Sequence, residues 1–171
     1  MRVHGTPHCD WTRCDRTQLY DLLALEHGGR ALACNDQHFG AAGNLLLPGR
    51  GLTMGDGWET RRRREPGHDR AILALGHSGM SRRIEVDTAY FKGNFPDCCS
   101  LHAAFVPDLP EAALVTESLF WPILLPEQPL SADAIHVFQT EINDLGSISH
   151  VCFNMIPDGR VSRLRLFGEL T

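Results

Sequence analysis

Apolar residues in this chain fall in short runs, and glycine, proline or charge breaks most runs after about four to eight positions, the length of a strand. One segment departs from that texture. In DRTQLYDLLALEHGG, residues 15–29, Asp15 stands as a cap with Gln18 three positions on. Leu19, Leu22, Leu23 and Glu26 follow at helical spacing, and Gly28 with Gly29 stops the run. The segment predicts a short helix. After Gly29 the pattern is that of strands. Residues 31–34 form one candidate and residues 71–75 the next, closed by Gly76. Residues 84–88 alternate as a half-buried strand should. Further strands are predicted at 100–106, 121–125, 135–138, 151–155 and 161–167. In the last of these Leu164 and Leu166 share one face, Arg163 and Arg165 the other. Pro107, Pro110, Pro122, Pro126 and Pro129 punctuate the middle, where residues 111–118 predict a short helix. About eight short strands with frequent turns predict an all-β fold with minor helix, an antiparallel β-sandwich of the jelly-roll type. No internal repeat, linker or low-complexity tract divides the chain. Residues 1–171 read as one domain, with 1–14 as an arm that Trp11 anchors.

Composition narrows the function. Hydrophobic content of 43% and charged content of 22% suit a globular protein rather than a disordered one. A net charge of -5 opposes general affinity for nucleic acid. No apolar run follows Arg2 to suggest a signal peptide, none is long enough to span a bilayer, and the chain ends without a retention or lipidation signal. Six cysteines include no C-x-x-C pair, so neither a zinc knuckle nor a thioredoxin-like site is written here. Reduced thiols in a cytoplasmic protein are the expectation.

The chemistry concentrates in residues 55–69, GDGWETRRRREPGHD. Four consecutive arginines, Arg61 to Arg64, are followed directly by Glu65, with Asp56, Glu59, His68 and Asp69 close by. An Asp-Gly turn opens the stretch and Pro66-Gly67 nearly closes it, so it reads as a loop between sheet elements, where functional groups collect. Mixed charge is poor for a nucleic-acid patch and better for a small polar ligand with both donors and acceptors. Trp58 is costly to leave in a purely solvated loop. Asp56 reads as structural, its carboxylate accepting backbone N–H groups in the turn ahead of Trp58.

Together with IEVDTAYFKGNFP (84–96), NMIPDGRVSRLRLFGE (154–169) and ALACNDQHFGAAGNLLLPGR (31–50), that loop makes the chain resemble one repeat of the allantoicase (allantoate amidinohydrolase) family over roughly residues 11 to 169. It resembles the second of the two repeats that full-length members carry. It differs from the family's pattern at Gln37, His38, Arg70, Cys152 and Arg160. The resemblance implies a jelly roll like that of galactose-binding domains, and hydrolysis of allantoate to ureidoglycolate and urea in purine breakdown. It also implies a surface left open where a second repeat would pack, hence a homo-oligomer, with no membrane partner. A non-catalytic binding module, or a partner of a full-length allantoicase, is the alternative.

Allantoate carries one carboxylate and two ureido groups. Its site needs a cation, acceptors for ureido N–H groups and an acid/base pair. Arg61, Arg62, Arg63 and Arg64 offer the planar fork that matches a carboxylate, and strand alternation would aim two of the four inward. His68 and Asp69 are the acid/base candidates, with Glu59 or Asp87 as alternative partners for the imidazole. Trp58, Lys92, Asn94, Asn154, Asp158 and Arg163 are candidate binding residues, with Arg165 beside them; His38, His136 and His150 read as structural or surface groups. His68, Asp69, Glu59 and Asp87 are also potential ligands for Mn²⁺ or a similar ion, although no tight spacing supports one.

Overall fold

The computed structural model describes residue 5 and residues 9–171; residues 1–4 and 6–8 of the expected arm lie outside the described residues. Ten strands form among the described residues. They are β1 (Tyr20–Asp21), β2 (Arg30–Cys34), β3 (Trp58–Glu59), β4 (Asp69–Asp87), β5 (Cys98–Ala104), β6 (Ile123–Pro129), β7 (Ile135–Phe138), β8 (Ser147–Ile156), β9 (Arg160–Val161) and β10 (Arg163–Leu170). One α-helix, α1 (Glu111–Glu117), lies between β5 and β6 and runs into a 3-10 turn.

The frame is β4. Its first part pairs with β2 and β8, its second with β10 and β7, every pairing antiparallel. One ladder runs β2-β4-β8-β5-β6 and the other β1-β10-β4-β7, so a single 19-residue strand belongs to both faces of a sandwich. Sequence reading splits this strand at Gly76, but the glycine marks a close approach and not an end. A Cβ there would strike the His27 carbonyl, so only glycine lets the connection after β1 pass against the bend. Side chains then alternate as a two-layer fold requires. Ala71, Leu73, Val151, Phe153 and Leu101 point inward from one ladder and Ile84, Val86, Leu164 and Leu166 from the other, all fully buried in one core. A smaller cluster of Ile72, Leu114, Trp121 and Cys152 seals α1 to the outer face of the first ladder.

The helix expected over residues 15–29 does not form. Tyr20 and Asp21 pair with β10 as β1, and only a 3-10 turn, Leu25–His27, follows before Gly28 takes a φ of 94°. Tertiary contacts override the helical spacing. The Asp21 carboxylate accepts from the N–H groups of Leu23 (3.2 Å) and Leu166 (3.1 Å), and its other oxygen lies 3.4 Å from Arg165 Nε. Arg165 in turn donates to the carbonyls of Leu45, Leu47 and Gly49, so one guanidinium ties the 42–50 segment to the second ladder. Both Leu22 and Leu23 are thereby driven into the core. The strand expected at 161–167 is also interrupted: Ser162 donates its N–H to Asp87 O, and this separates β9 from β10.

Burial raises the Asp21 carboxyl pKa above its ordinary 3.8, against the pull of the Leu166 N–H and Arg165, so its ionisation costs the folded state. Its contribution to stability therefore declines as pH rises from 3.8 through the folded value. Asp21→Ala removes the carboxylate beside Arg165, leaves two buried N–H groups without an acceptor, and should cost about 3 kcal/mol in urea unfolding. Asp21→Asn keeps the acceptor oxygen, and should cost far less while removing that pH slope.

Candidate functional site

A cleft of about 440 Å³ opens at one end of the sandwich, between the 38–39 segment, β3 with the arginines after it, residues 93–97, and the turn from Pro157 to Arg160. Its floor is the two-residue ladder of β3 with β9, in which Trp58 faces Val161 and Glu59 faces Arg160. Alternation decides what each residue does there. Trp58 points into the core, has no exposed surface, and donates its indole N–H to Asp36 O at 3.0 Å. It is a plug holding the floor, with no face left for a ligand. Glu59 points the other way, into the cleft, and forms an ion pair with Arg160.

The Glu59–Arg160 pair is largely buried, and burial pulls the guanidinium pKa down, although an arginine stays cationic in any protein. The Arg160 guanidinium also lies over the rings of Phe91 (5.6 Å) and Phe39 (5.8 Å), which form an aromatic wall for the charge. Backbone bonds fix this floor. His38 N–H donates to Glu59 O (2.8 Å), Thr60 N–H to Gly159 O (3.1 Å), and Arg160 N–H to Asn94 O (2.9 Å). Gly159 has a φ of 142°, and a Cβ there would press on Asn94 O at 2.8 Å, so the turn requires glycine.

The four arginines do not divide two in and two out. Residues 60–68 form no strand, so there is no alternation for them to obey. Arg63 is held by a close side-chain ion pair: its N–H donates to Asp158 Oδ2 (2.8 Å) and its Nη2 to Asp69 Oδ1 (2.7 Å). Arg61 Nε donates to His38 Nδ1 (3.3 Å) and Arg61 N–H to Asp36 Oδ2 (2.6 Å). Arg61 and Arg62 line the cleft; Arg61 to Arg64 also line a shallower depression of about 420 Å³ beside it.

The remaining candidates scatter. Asp69 is 2% exposed and faces inward to Arg63, whereas His68 lies in the exposed coil that precedes β4. Partial burial lowers the His68 pKa, with Asn154 and Asp69 opposing and Arg70 and Arg63 reinforcing the shift. Asn154 faces away from the core and donates to Ser100 Oγ (3.1 Å). Asp87 is held by Arg50 Nε at 3.0 Å and caps the Ala89 N–H, remote from the arginine run. Arg163 donates to the carbonyls of Asp56 (2.6 Å) and Ser162 (2.7 Å), and Lys92 is exposed outside the cleft lining. Asp56 caps a turn by accepting from the N–H groups of Leu52 and Thr53, bonds that lower its pKa. Asn94 and Asp158 do line the cleft. The side chains offered for Mn²⁺ do not converge: Glu59, Asp69 and Asp87 each pair with a different arginine, and among the described residues no three His, Cys, Asp or Glu groups come together. Those residues do not fit one shared ion.

Sequence reading missed His38, Phe39, Thr60, Asp97 and Arg160 as cleft residues. The signal for Arg160 was the D-G-R turn ahead of an apolar residue, which points the arginine opposite to the buried Val161. His38 gave none, because it joins the site only through the fold.

A jelly-roll sandwich with its polar cleft at one end defines a galactose-binding-like domain. The family 32 carbohydrate-binding module of Clostridium perfringens NanJ, solved with galactose, superposes with a TM-score of 0.60 over 88% of this chain and 98% of its own, at 9% identity. The allantoicase crystal structure from Saccharomyces cerevisiae aligns at a TM-score of 0.75 and 38% identity, over 88% of this chain and 43% of its own. The allantoicase repeat family model matches residues 20–171, and the chain belongs to that family. Probable allantoicase 2 of Burkholderia pseudomallei is 58% identical over 99% of this chain and 51% of its own length. Probable allantoicase of Ralstonia nicotianae is 57% identical over the same 99% and 51%. The chain thus spans about half the length of these curated relatives.

Arg63→Met leaves the Asp69 carboxylate buried with only Asn35 to bond it. It should lower the unfolding free energy by about 3 kcal/mol, read from urea transitions at unchanged slope.

Proposed function

We propose that the cleft between Glu59, Arg61, Arg62, Asn94, Asp158 and Arg160 takes allantoate, and that the chain acts as a C–N hydrolase releasing ureidoglycolate and urea in the cytoplasm. The observation that carries this reading is the buried Glu59–Arg160 pair inside a small cleft furnished with both donors and acceptors. Allantoate has the complementary set. Its carboxylate suits the exposed guanidinium forks of Arg61 and Arg62. Its ureido N–H groups suit the oxygens of Glu59, Asp158 and Asn94, and its ureido carbonyls suit Arg160. The bond that breaks joins the central carbon to a ureido nitrogen. The departing nitrogen needs a proton, and water must lose one as its oxygen joins the carbon. His38 is the imidazole in the cleft lining, and its contact with Arg61 Nε places it beside the cation that would hold the carboxylate.

Urea release from allantoate by the purified chain, with and without added Mn²⁺, tests the reading. His38→Ala should lower turnover roughly 10²–10⁴-fold. Arg61→Lys and Arg62→Lys should chiefly raise KM, a point charge replacing a fork. His68→Ala should change turnover little; if it alone abolished activity, catalysis would lie outside this cleft. Calorimetric binding of allantoate without urea release would instead make the chain a binding module.

Self-association belongs to the same proposal. Phe105, Val115, Leu119, Phe120 and Ile123 are exposed on one shoulder around α1 and the start of β6, and Phe120 is 79% accessible. Such a patch marks a contact surface. Light scattering at tens of micromolar should report at least twice the 19.0 kDa chain mass, and Phe120→Asp should shift it toward monomer. A clean wild-type monomer would remove this part of the proposal.

A further inference from the structure

The outer face of the second ladder carries two rows of charge. Register sets Arg163 of β10 opposite Asp87 of β4, and Asp87 opposite Ile135 of β7; two positions along, Arg165 lies opposite Glu85. Gly49 and Arg50 close over them and leave a recess of about 150 Å³ that shares no lining residue with the cleft. Among the described residues, every charge that lines it is paired except one. Asp87 Oδ2 accepts from Arg50 Nε at 3.0 Å, and Oδ1 accepts from Arg50 Nη2 (3.3 Å) and the Ala89 N–H (2.8 Å). Glu85 lies 3.2 Å from Arg83 Nε, and Arg165 Nε lies 3.4 Å from Asp21.

Arg163 is the exception. It is 5% exposed, and its Nη1 donates only to carbonyls, those of Asp56 and Ser162. Its Nε is sealed without an acceptor, whereas its Nη2, also without a partner among the described residues, is not sealed and opens onto the recess. Burial and the neighbouring Arg165 pull its pKa down, with Asp56 and Asp87 opposing from a distance, yet a guanidinium stays cationic. A buried cation that meets only carbonyls lacks its counterion. We propose that the recess is a binding site for a small monovalent oxyanion of the formate or bicarbonate class. Its oxygens accept from Arg163 Nη2 and from Arg50 Nη1, which likewise has no partner among the described residues. One unpaired cation calls for one negative charge; the second charge of a dianion would stand against Asp87 and Glu85. The space is room for only a few water molecules, too little for a sugar or a nucleotide.

The proposal stands apart from the cleft and is tested without an activity assay. Sodium formate is titrated into the full chain, with ionic strength held constant by sodium gluconate, whose anion is too large for the recess. The Arg163 Nε–H signal and the backbone amides of Asp87 and Ile135 should move along a saturable curve with a Kd of about 10 mM or tighter. Formamide, a neutral molecule of the same shape, should bind about tenfold or more weakly. Glu85→Gln takes a like charge out of the lining and should tighten formate about threefold or more. Ile135→Trp, at a half-exposed position, fills the recess and should abolish the shifts while the amide spectrum stays dispersed. No saturation by about 50 mM formate, equal binding of formamide, an affinity that fails to rise in Glu85→Gln, or one that survives Ile135→Trp would each overturn it.

Discussion

One strand serves both sheets, and that covalent sharing is the constraint on which the rest of the molecule depends. Because β4 cannot slip against itself, the registers of β8 and β10 are fixed relative to one another through it. The two halves of the core therefore face each other in one alignment only. The register shift between Ala74 and Gly79 marks where the 19-residue strand passes from one ladder to the other.

Onto that frame the chain fastens its irregular segments with guanidinium groups. Arg165 holds the 42–50 segment, Arg50 closes on Asp87, Arg163 takes the Asp56 carbonyl, and Arg63 clamps the coil that leads into β4. Each supplies several donors in a plane, which suits connections that present carbonyls in no regular order. The apolar core sets the layers, and these arginines decide where the loops lie over them. Glu59 and Arg160 are the same device turned toward a cleft, which is why a structural habit of the chain coincides with its candidate chemistry.

The strand pattern was legible as short apolar runs set off by turn residues: 135–138 was read in full, and 31–34 and 151–155 fall within the observed β2 and β8. The false helix at 15–29 shows the limit of that reading, since its leucine spacing serves a core contact that Asp21 enforces by accepting from Leu166 at the far end of the chain. For the site, the sequence singled out residues 55–69 as the stretch where charge gathers but could not sort them. His68 and Asp69 are neighbours in the chain and are aimed apart, whereas Glu59 and Arg160, a hundred residues apart, meet across two strand positions. Contacts of that separation leave no periodic trace.

The anchoring of Arg63 has a thermodynamic consequence for its neighbours. Tied through its amide to Asp158 and through its side chain to Asp69, it cuts the nine-residue coil 60–68 into two short spans. The disorder a free loop of that length would surrender on gripping a ligand has already been given up during folding. Arg61 and Arg62 then bring little more than their own rotamers to order, so a ligand too small to rigidify a loop by itself can still be held.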